Sequence, residues 1–344
     1  MRIILACERS GGHVFPALAL ANKIKDESKK QDKSREVIFF VTSASLKEYI
    51  KKDNFLVLGA VLPFRNIVIE GLFRMFEAAR LIISLRPERI IGFGGRDSFF
   101  LVLFGSLLGI DTRIYELNVR FGKANRILRI FARKVLCAFR PATMNRKTVV
   151  SGIPLRKNII KIDREAARRT LNFEDKPVIF CLGGSQGASF INNIFLQLVS
   201  GREEDFQIIH LTGKRDYFKI VQLYNKINKK GLVKAFDYST EIFYSAATLV
   251  ISRAGASTLG EIAFYRVPSI LIPYPGAGGH QEQNALYFKR RNAAAVFFEG
   301  GFSFTQFALT VKDFLYDRKK RGEIKDNLAK IKLAVSYDRF AVCE

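Results

Sequence analysis

Six side chains in one stretch, Arg253, Ser257, Thr258, Glu261, Gln281 and Asn284, are of the types that hold phosphate, ribose hydroxyls and a sugar. Their spacing places them at two successive strand-to-helix turns. A strand over 248–252 leads through small residues into a helix over 257–266, and a strand over 269–274 leads into a helix opening at 280–284. The start of a helix presents unpaired N–H groups and the positive end of its dipole, which together suit a phosphate. Ordinary turn chemistry uses the same small residues, so one such turn says little; two in tandem point to a ligand. A third turn, Gly183-Gly184-Ser185-Gln186-Gly187, adds backbone donors, a hydroxyl and an amide that suit a diphosphate or a sugar. Of the three histidines, His13 and His280 stand at glycine-rich helix starts, and His210 falls in a strand as a core residue. A neutral imidazole at His13 can take a proton from a hydroxyl near neutral pH; capping or packing of the helix start is the alternative. Glu116, with Asn118 beside it, is a second candidate for acid–base or hydroxyl-binding work, or else an exposed loop carboxylate. No Asp-x-Asp follows a strand and no His/Cys/carboxylate cluster has ligand spacing, so neither a metal nor another cofactor is implied.

The elements that must position these groups alternate regularly. Apolar strands over 2–7, 37–42, 55–61, 89–93, 113–117 and 134–139 are separated by helical patterns over 14–25, 45–51, 69–84, 98–108 and 122–133. Such alternation predicts a parallel sheet with ligands at the carboxyl ends of its strands. The pattern pauses between 140 and 160, at Pro141, Gly152 and Pro154, where the inter-domain connection is expected. It resumes with strands at 178–182, 206–212 and 232–236 ahead of the tandem turns, and the strand–glycine–helix opening at 178–199 echoes that at 4–25. The expected fold is α/β, with two Rossmann-like parallel-sheet domains facing across a cleft, residues 1–150 and 151–344. The last helix is expected to pack back on the first domain.

At 344 residues the chain can build two full cores, and 48% hydrophobic with 26% charged residues is globular composition. The opening MRIILACERSGGH lacks the pattern of a signal peptide, and the most apolar run, 99–110, is too short to cross a bilayer. Cys7, Cys137, Cys181 and Cys343 show no CxxC pairing and read as reduced thiols of a cytosolic protein. A formal charge of +24 calls for nucleic acid, an anionic membrane surface or phosphorylated substrates. With no nucleic-acid module in view, the membrane surface and an anionic substrate fit better. Residues 64–86 mix Ile, Leu and Phe with four arginines, as an interfacial segment would or as an amphipathic helix packed on the sheet would. The expected location is the cytoplasmic face of the membrane, peripherally bound.

These motifs resemble those of the MurG glycosyltransferases over nearly the whole chain. SGGHVFPALALA at 10–21, FGG at 93–95, Glu116, Asn118 and Asn125, and SGIPLRKNI at 151–159 are similar to the family's N-terminal and inter-domain motifs. GGSQGASFIN at 183–192, SRAGASTLGE at 252–261 and PYPGAGGHQEQNA at 273–285 are its most specific signatures. The resemblance implies a GT-B fold and inverting, metal-independent transfer of N-acetylglucosamine from UDP-N-acetylglucosamine to undecaprenyl-diphosphate muramoyl-peptide (lipid I), making lipid II for peptidoglycan. It implies His13 as the base with Glu116 in the catalytic set, Glu261 on the ribose, Ser257 and Thr258 on the diphosphate, the backbone at Phe236–Asp237 on uracil, and Gln281 on the sugar. Ser185 and Arg156 would close over the nucleotide. Ser10, Gly11, Gly12, Asn118, Gln186, Gly187, Ala256 and Asn284 complete the donor set, and Arg96, Asn125 and Asn192 fall to the acceptor side.

The departures from the family pattern lie in the N-terminal half. Glu8 and Arg9 stand where glycines are usual, Arg96 replaces the tyrosine after FGG, and Tyr115-Glu116-Leu117-Asn118 stands for HEQN. Arg96 is expected to compensate by binding the acceptor diphosphate with a charged fork. Two further readings stay open: a related UDP-sugar transferase with another polyprenyl or lipid acceptor, and a non-catalytic paralogue that binds UDP-sugar.

Overall fold

The computed structural model describes residues 1–7, 11–32, 34–61, 67–184, 187–201, 205–227, 231–276 and 278–335. Two compact units emerge, Met1–Lys157 with Val335, and Asn158–Ala334. The sequence reading divides the domains at 150/151; the chain passes from one compact unit to the other after Lys157.

In the first unit the order is β1 (Arg2–Ala6), α1 (Gly11–Lys30), β2 (Glu36–Phe40), α2 (Ala44–Lys51), β3 (Leu56–Leu58), α3 (Ile67–Leu85), β4 (Arg89–Gly92) and α4 (Arg96–Leu107). It continues through β5 (Asp111–Glu116), α5 (Lys123–Phe131), β6 (Lys134–Cys137), β7 (Thr148–Val150) and the two-residue β8 (Ile153–Pro154). Seven strands form one sheet in the order β3-β2-β1-β4-β5-β6-β7, with parallel pairings throughout. The edge strand β7 has two exposed residues of three, so it lacks the apolar run that betrays its neighbours. The central strands are apolar on both faces because helices cover both: Ile3, Ile4, Leu5 and Ala6 are all buried. Full burial of such an Ile or Leu contributes roughly 2–3 kcal/mol.

The second unit runs α6 (Arg164–Thr170), β9 (Val178–Leu182), α7 (Ser189–Ser200), β10 (Gln207–Leu211), α8 (Tyr217–Tyr224), β11 (Gly231–Lys234) and α9 (Thr240–Ala246). Then come β12 (Leu249–Ser252), α10 (Ala256–Tyr265), β13 (Ser269–Leu271), α11 (His280–Lys289), β14 (Ala295–Val296), α12 (Phe304–Tyr316) and α13 (Arg318–Lys330). Its six strands are ordered β11-β10-β9-β12-β13-β14, again parallel. Helix α9 is one the sequence pattern does not reveal, at seven residues too short for a clear period. The last helix, α13, belongs to the second unit, and the chain rejoins the first at Val335, whose carbonyl accepts from the Leu155 N–H (3.2 Å).

Strand order reverses between β1 and β4 in the first sheet and between β9 and β12 in the second. At such a point the connections leave toward opposite faces and open a crevice at the carboxyl ends of the strands. The start of α1, the turns after β4 and β12, and the glycines Gly183, Gly184 and Gly187 beside β9 fall there.

Candidate active site

In the second unit, β12 ends at Ser252 and α10 begins at Ala256, with Gly255 as a cap residue that has no side chain to offer the first N–H groups. The start of α10 therefore lies, uncapped by any side chain of its cap residue, with its dipole at the switch point. Ser257, Thr258 and Glu261 are half-buried on its first two turns. Three side chains of the proposed ligand set brace this turn from within. Asn284, fully buried, donates Nδ2 to the Ala254 carbonyl (3.2 Å). Arg253, also buried, donates Nη1 to the Ile272 carbonyl (3.1 Å), pairs with Glu299 (2.5 Å) and lies over the Tyr274 ring. Gln281 accepts from the Tyr274 N–H (3.0 Å), closing the loop that leads to α11. Asn284 thus holds the turn between β12 and α10 in shape, where the sequence reading has it touching the donor, and Arg253 likewise braces the scaffold. Glu299, which anchors Arg253, carries no local signal, because its partner is distant in sequence.

Ser10, Ser185 and Gln186 lie outside the described residues. The turn that flanks the last two is built on glycine for cause. Gly184 and Gly187 have φ of +85° and +79°, and a Cβ at Gly187 would stand 2.5 Å from the Thr212 carbonyl oxygen. A Cβ at Gly183 would meet the Ala188 backbone nitrogen at 2.4 Å. Gly187→Ala is therefore expected to cost about 3 kcal/mol, read as a fall in melting temperature. An unchanged melting temperature would show that the turn relaxes freely.

Asp237 follows β11, where its carboxylate accepts from Lys234 Nζ (2.6 Å) and the Ser239 N–H (2.9 Å). Partial burial pushes its pKa up, but the bonds from Lys234 and Ser239 outweigh this and hold it below the usual carboxylate range. Asn192 is placed differently from the acceptor role assigned to it. It is fully buried within the second unit, with Nδ2 donating to the Thr212 carbonyl (2.9 Å) and Asp216 (2.8 Å) and Oδ1 facing His210 Nε2 (3.0 Å). Its polar atoms are occupied by the core, which leaves none for a substrate.

In the first unit, α1 opens at Gly11-Gly12-His13, with Gly11 buried and His13 half-buried in the first turn. Two residues on, Phe15 carries the Arg156 guanidinium over its ring (5.4 Å), and Lys157 pairs with Asp26 farther along the helix (3.2 Å). Arg156 thus belongs with His13 in the first unit.

Glu116 is buried at the end of β5, and its carboxylate accepts four N–H groups. Oε1 takes the backbone and side chain of Asn118 (3.0 and 3.1 Å), and Oε2 takes the Gly122 N–H (2.9 Å) and Asn125 Nδ2 (3.0 Å). Charge-assisted bonds of this kind are short and strong. They lock the 117–122 loop to the start of α5. Glu116 is therefore a positioning residue, and neither a free acid–base group nor the exposed loop carboxylate of the alternative reading. Asn125, also buried, donates as well to the Tyr115 carbonyl (3.2 Å) and packs against Gly94, whose φ of +90° lets the FGG turn pass over it.

The residues that replace the family's motif have structural work. Tyr115 stacks on Phe93 (5.3 Å, 9° between planes) and donates its hydroxyl to the Gly152 carbonyl (2.7 Å), while Leu117 is buried. Arg96, the first residue of α4, is exposed and lies 3.8 Å from Glu70. It lines a pocket of about 300 Å³ between α3, α4 and α5 with the apolar Gly71, Phe99, Phe100, Ala124 and Ile127 and the charged Glu70, Arg74 and Lys123.

The helix α3 buries charged as well as apolar groups. Glu70, Arg74, Ala78 and Ile82, spaced by four, are its buried stripe. Arg74 is held by Glu77 (2.5 Å) and the Ala60 carbonyl (2.8 Å). Ala78 and Ile82 join the core of the sheet, whereas other apolar residues point outward: Val68, Phe76 and Ile83 are 70%, 69% and 72% exposed. Residues 64–66 of this segment lie outside the described ones. Among the described residues no helix is long and apolar enough to cross a membrane, and no group of His, Cys, Asp or Glu is placed to hold a metal.

Comparison with known proteins gives this architecture a family. Residues 3–137 match the glycosyltransferase family 28 N-terminal domain, and residues 178–337 its C-terminal domain. A UDP-N-acetylglucosamine–N-acetylmuramyl-(pentapeptide) pyrophosphoryl-undecaprenol N-acetylglucosamine transferase of Thermoanaerobacter sp. (strain X514) is 30% identical, covering 96% of this chain and 95% of its own. The enzyme of that name from Thermodesulfovibrio yellowstonii is 34% identical over 86% of this chain and 85% of its own. The crystal structure of Acinetobacter baumannii MurG superposes with a TM-score of 0.75 at 25% identity, covering 97% of this chain and 95% of that one. With two GT-B Rossmann-like sheets, both family-28 domains and relatives of this likeness along almost its whole length, the chain belongs to the MurG family of glycosyltransferases.

Proposed function

We propose that the chain transfers N-acetylglucosamine from UDP-N-acetylglucosamine to lipid I, releasing UDP and making lipid II for peptidoglycan. The observation that carries this reading is the start of α10, uncapped by any side chain of its cap residue, at the switch point of the second sheet, in a chain of this family. There the N–H groups of Ala256–Thr258, the hydroxyls of Ser257 and Thr258 and the dipole of α10 receive the donor diphosphate. Glu261 accepts from the ribose hydroxyls, Gln281 faces the sugar, and the backbone at Phe236–Asp237 reads uracil. As the glycosidic C1–O bond breaks, negative charge grows on the leaving diphosphate. Fixed N–H donors and a helix dipole stabilise that charge without reorganising, so no divalent ion is needed in the step. His13 takes the proton from the acceptor hydroxyl, whose oxygen forms the new bond to C1 from the opposite face, and the linkage inverts to β. Glu116 acts through the loop it fixes, holding Asn118 and Asn125.

The first unit takes the acceptor at an anionic membrane surface. Its support is the outward apolar face of α3, joined by Ile127, Ile130 and Phe131 on α5 among Arg126, Arg129 and Arg133. Exposed apolar side chains with a basic surround suit a membrane-facing surface. The pocket beside Arg96 and Lys123 suits a lipid chain with its diphosphate at the rim. Exchanging both Phe76 and Ile83 for Glu is expected to abolish sedimentation with phosphatidylglycerol vesicles while leaving turnover on a short-chain acceptor near wild type. Unaltered sedimentation would remove this face from the account.

The assay for the function itself supplies UDP-N-acetylglucosamine and a lipid I analogue in EDTA and looks for the disaccharide lipid. Its formation supports the reading; donor binding without product for lipid I, but with product for another polyprenyl acceptor, would replace the acceptor named here.

A further inference from the structure

A second pocket lies at the other end of the second sheet, beside the amino ends of β12 and β13. It encloses about 160 Å³ between the segment entering α6, the ends of α9 and α10, and α13. Five cations line it, Lys161, Arg164, Arg266, Arg321 and Lys325, and no carboxylate does. Its wall is the stacked pair Tyr244–Tyr265 (5.2 Å, 8° between planes). The cluster is anchored: Arg164 Nη2 donates to Thr248 Oγ1 (2.6 Å), and Arg321 donates to the Leu315 carbonyl. The cations also press on one another. Partial desolvation and then the nearby charge of Arg266 lower the pKa of Lys161, and desolvation followed by Arg164 and Arg321 lowers that of Lys325.

Helix dipoles do not account for this arrangement. The carboxyl ends of α9 and α10 bring roughly −0.5 charge each, far less than the five cations facing them. Arg164 and Arg321 moreover sit in the first turns of α6 and α13, where a cation opposes the dipole. The facing acids, Asp175 toward Arg164 and Asp317 toward Arg321, stand outside the lining. Arg266 holds a left-handed backbone (φ +54°) at the end of α10, where glycine costs least. An anion seated among these groups would relieve their repulsion.

We infer that this pocket binds a phosphoryl group, carried by a soluble phosphate ester or by a phospholipid headgroup. It lies within the second unit and uses none of the residues assigned to the donor.

The test is calorimetric titration of the full chain with inorganic pyrophosphate at 0.15 M salt and saturating UDP, comparing wild type with a Lys161→Glu, Lys325→Glu double variant. Both lysines are exposed, so the variant should keep the wild-type melting temperature; Lys161→Gln with Lys325→Gln is the milder substitute. Saturable binding weakened at least tenfold in the variant is expected. A control pair, Lys289→Glu with Lys312→Glu, makes the same change in net charge elsewhere on the unit and should leave the affinity unchanged. Pyrophosphate held at the start of α10 would survive in every variant, so failure of the donor assignment cannot imitate this result. No saturable binding in wild type, or equal weakening in the control pair, would overturn the inference. Sedimentation with phosphatidylglycerol vesicles then separates the sources: loss in the pocket variant alone assigns the lipid headgroup, and retention assigns a soluble ester.

Discussion

Replacing His13 by alanine is expected to slow turnover by about 10²–10⁴-fold, the usual contribution of a positioned general base. That is a loss of roughly 3–5 kcal/mol of transition-state stabilisation. Alanine is the best helix former, and the first turn of α1 is anchored by the buried Gly11 and Val14, so the fold should survive. The groups proposed to hold the donor diphosphate and ribose, on α10, lie in the other unit, so titration with UDP should give the wild-type affinity. His13→Gln keeps most of the volume and a hydrogen-bonding end but cannot accept the proton, and it should be as slow as alanine. Were glutamine to restore activity, His13 would be a cap and packing residue, the alternative its sequence context allows.

The second large effect is on stability in mild acid. His210 is fully buried between Asn192 Oδ1 (3.0 Å) and the Tyr224 hydroxyl (3.1 Å). These partners satisfy a neutral ring: Nε2–H donates to Asn192 while Nδ1 accepts from Tyr224. Burial lowers its pKa from 6.5 to about 3. Between those values the unfolded chain binds a proton that the folded chain does not, so stability is complete above pH 6.5 and is lost as pH falls toward 3. From pH 6.5 to 5 the loss should be about 2 kcal/mol, at ~1.4 kcal/mol per pH unit. Ordinary carboxylates titrate lower, so this window belongs to histidine. Urea unfolding at several pH values would read it. His210→Gln should be less stable at pH 7, because it disturbs the Asn192–Tyr224 link, yet show a shallower slope. Equal slopes in the two proteins would contradict the assignment.

Much of this molecule is legible before any coordinates. Parallel strands buried on both faces leave continuous apolar runs, and the longer helices between them keep their period, so most of both sheets can be read off the chain; the exposed edge strand β7 and the short helix α9 cannot. The turns after β9 and β12 are legible because backbone geometry admits few residues, as Gly187 shows with its positive φ and its closeness to Thr212.

What stays hidden is the use to which a polar side chain is put. Glu116 and Asn192 have types that suit catalysis or binding, and only their spatial neighbours reveal a loop anchor and a core network. The same limit applies to the altered YELN motif. By sequence it weakens the case for lipid I, but Tyr115 and Leu117 are packing residues in the fold, so their exchange need not touch the acceptor. In α3 both the charged and the apolar residues recur at helical spacing, and periodicity alone cannot say which stripe faces inward. The buried stripe is mixed: Ala78 and Ile82 join the core, and Arg74 is accommodated among them by Glu77 and the Ala60 carbonyl.

The most direct measurement is UDP release from UDP-N-acetylglucosamine by the purified chain, in EDTA, with and without a lipid I analogue. The account predicts release that requires the acceptor, survives chelation, falls at least a hundredfold in His13→Ala, and in Glu261→Ala is recovered only at raised donor concentration. Release that ignores the acceptor, or that His13→Ala leaves intact, would contradict it.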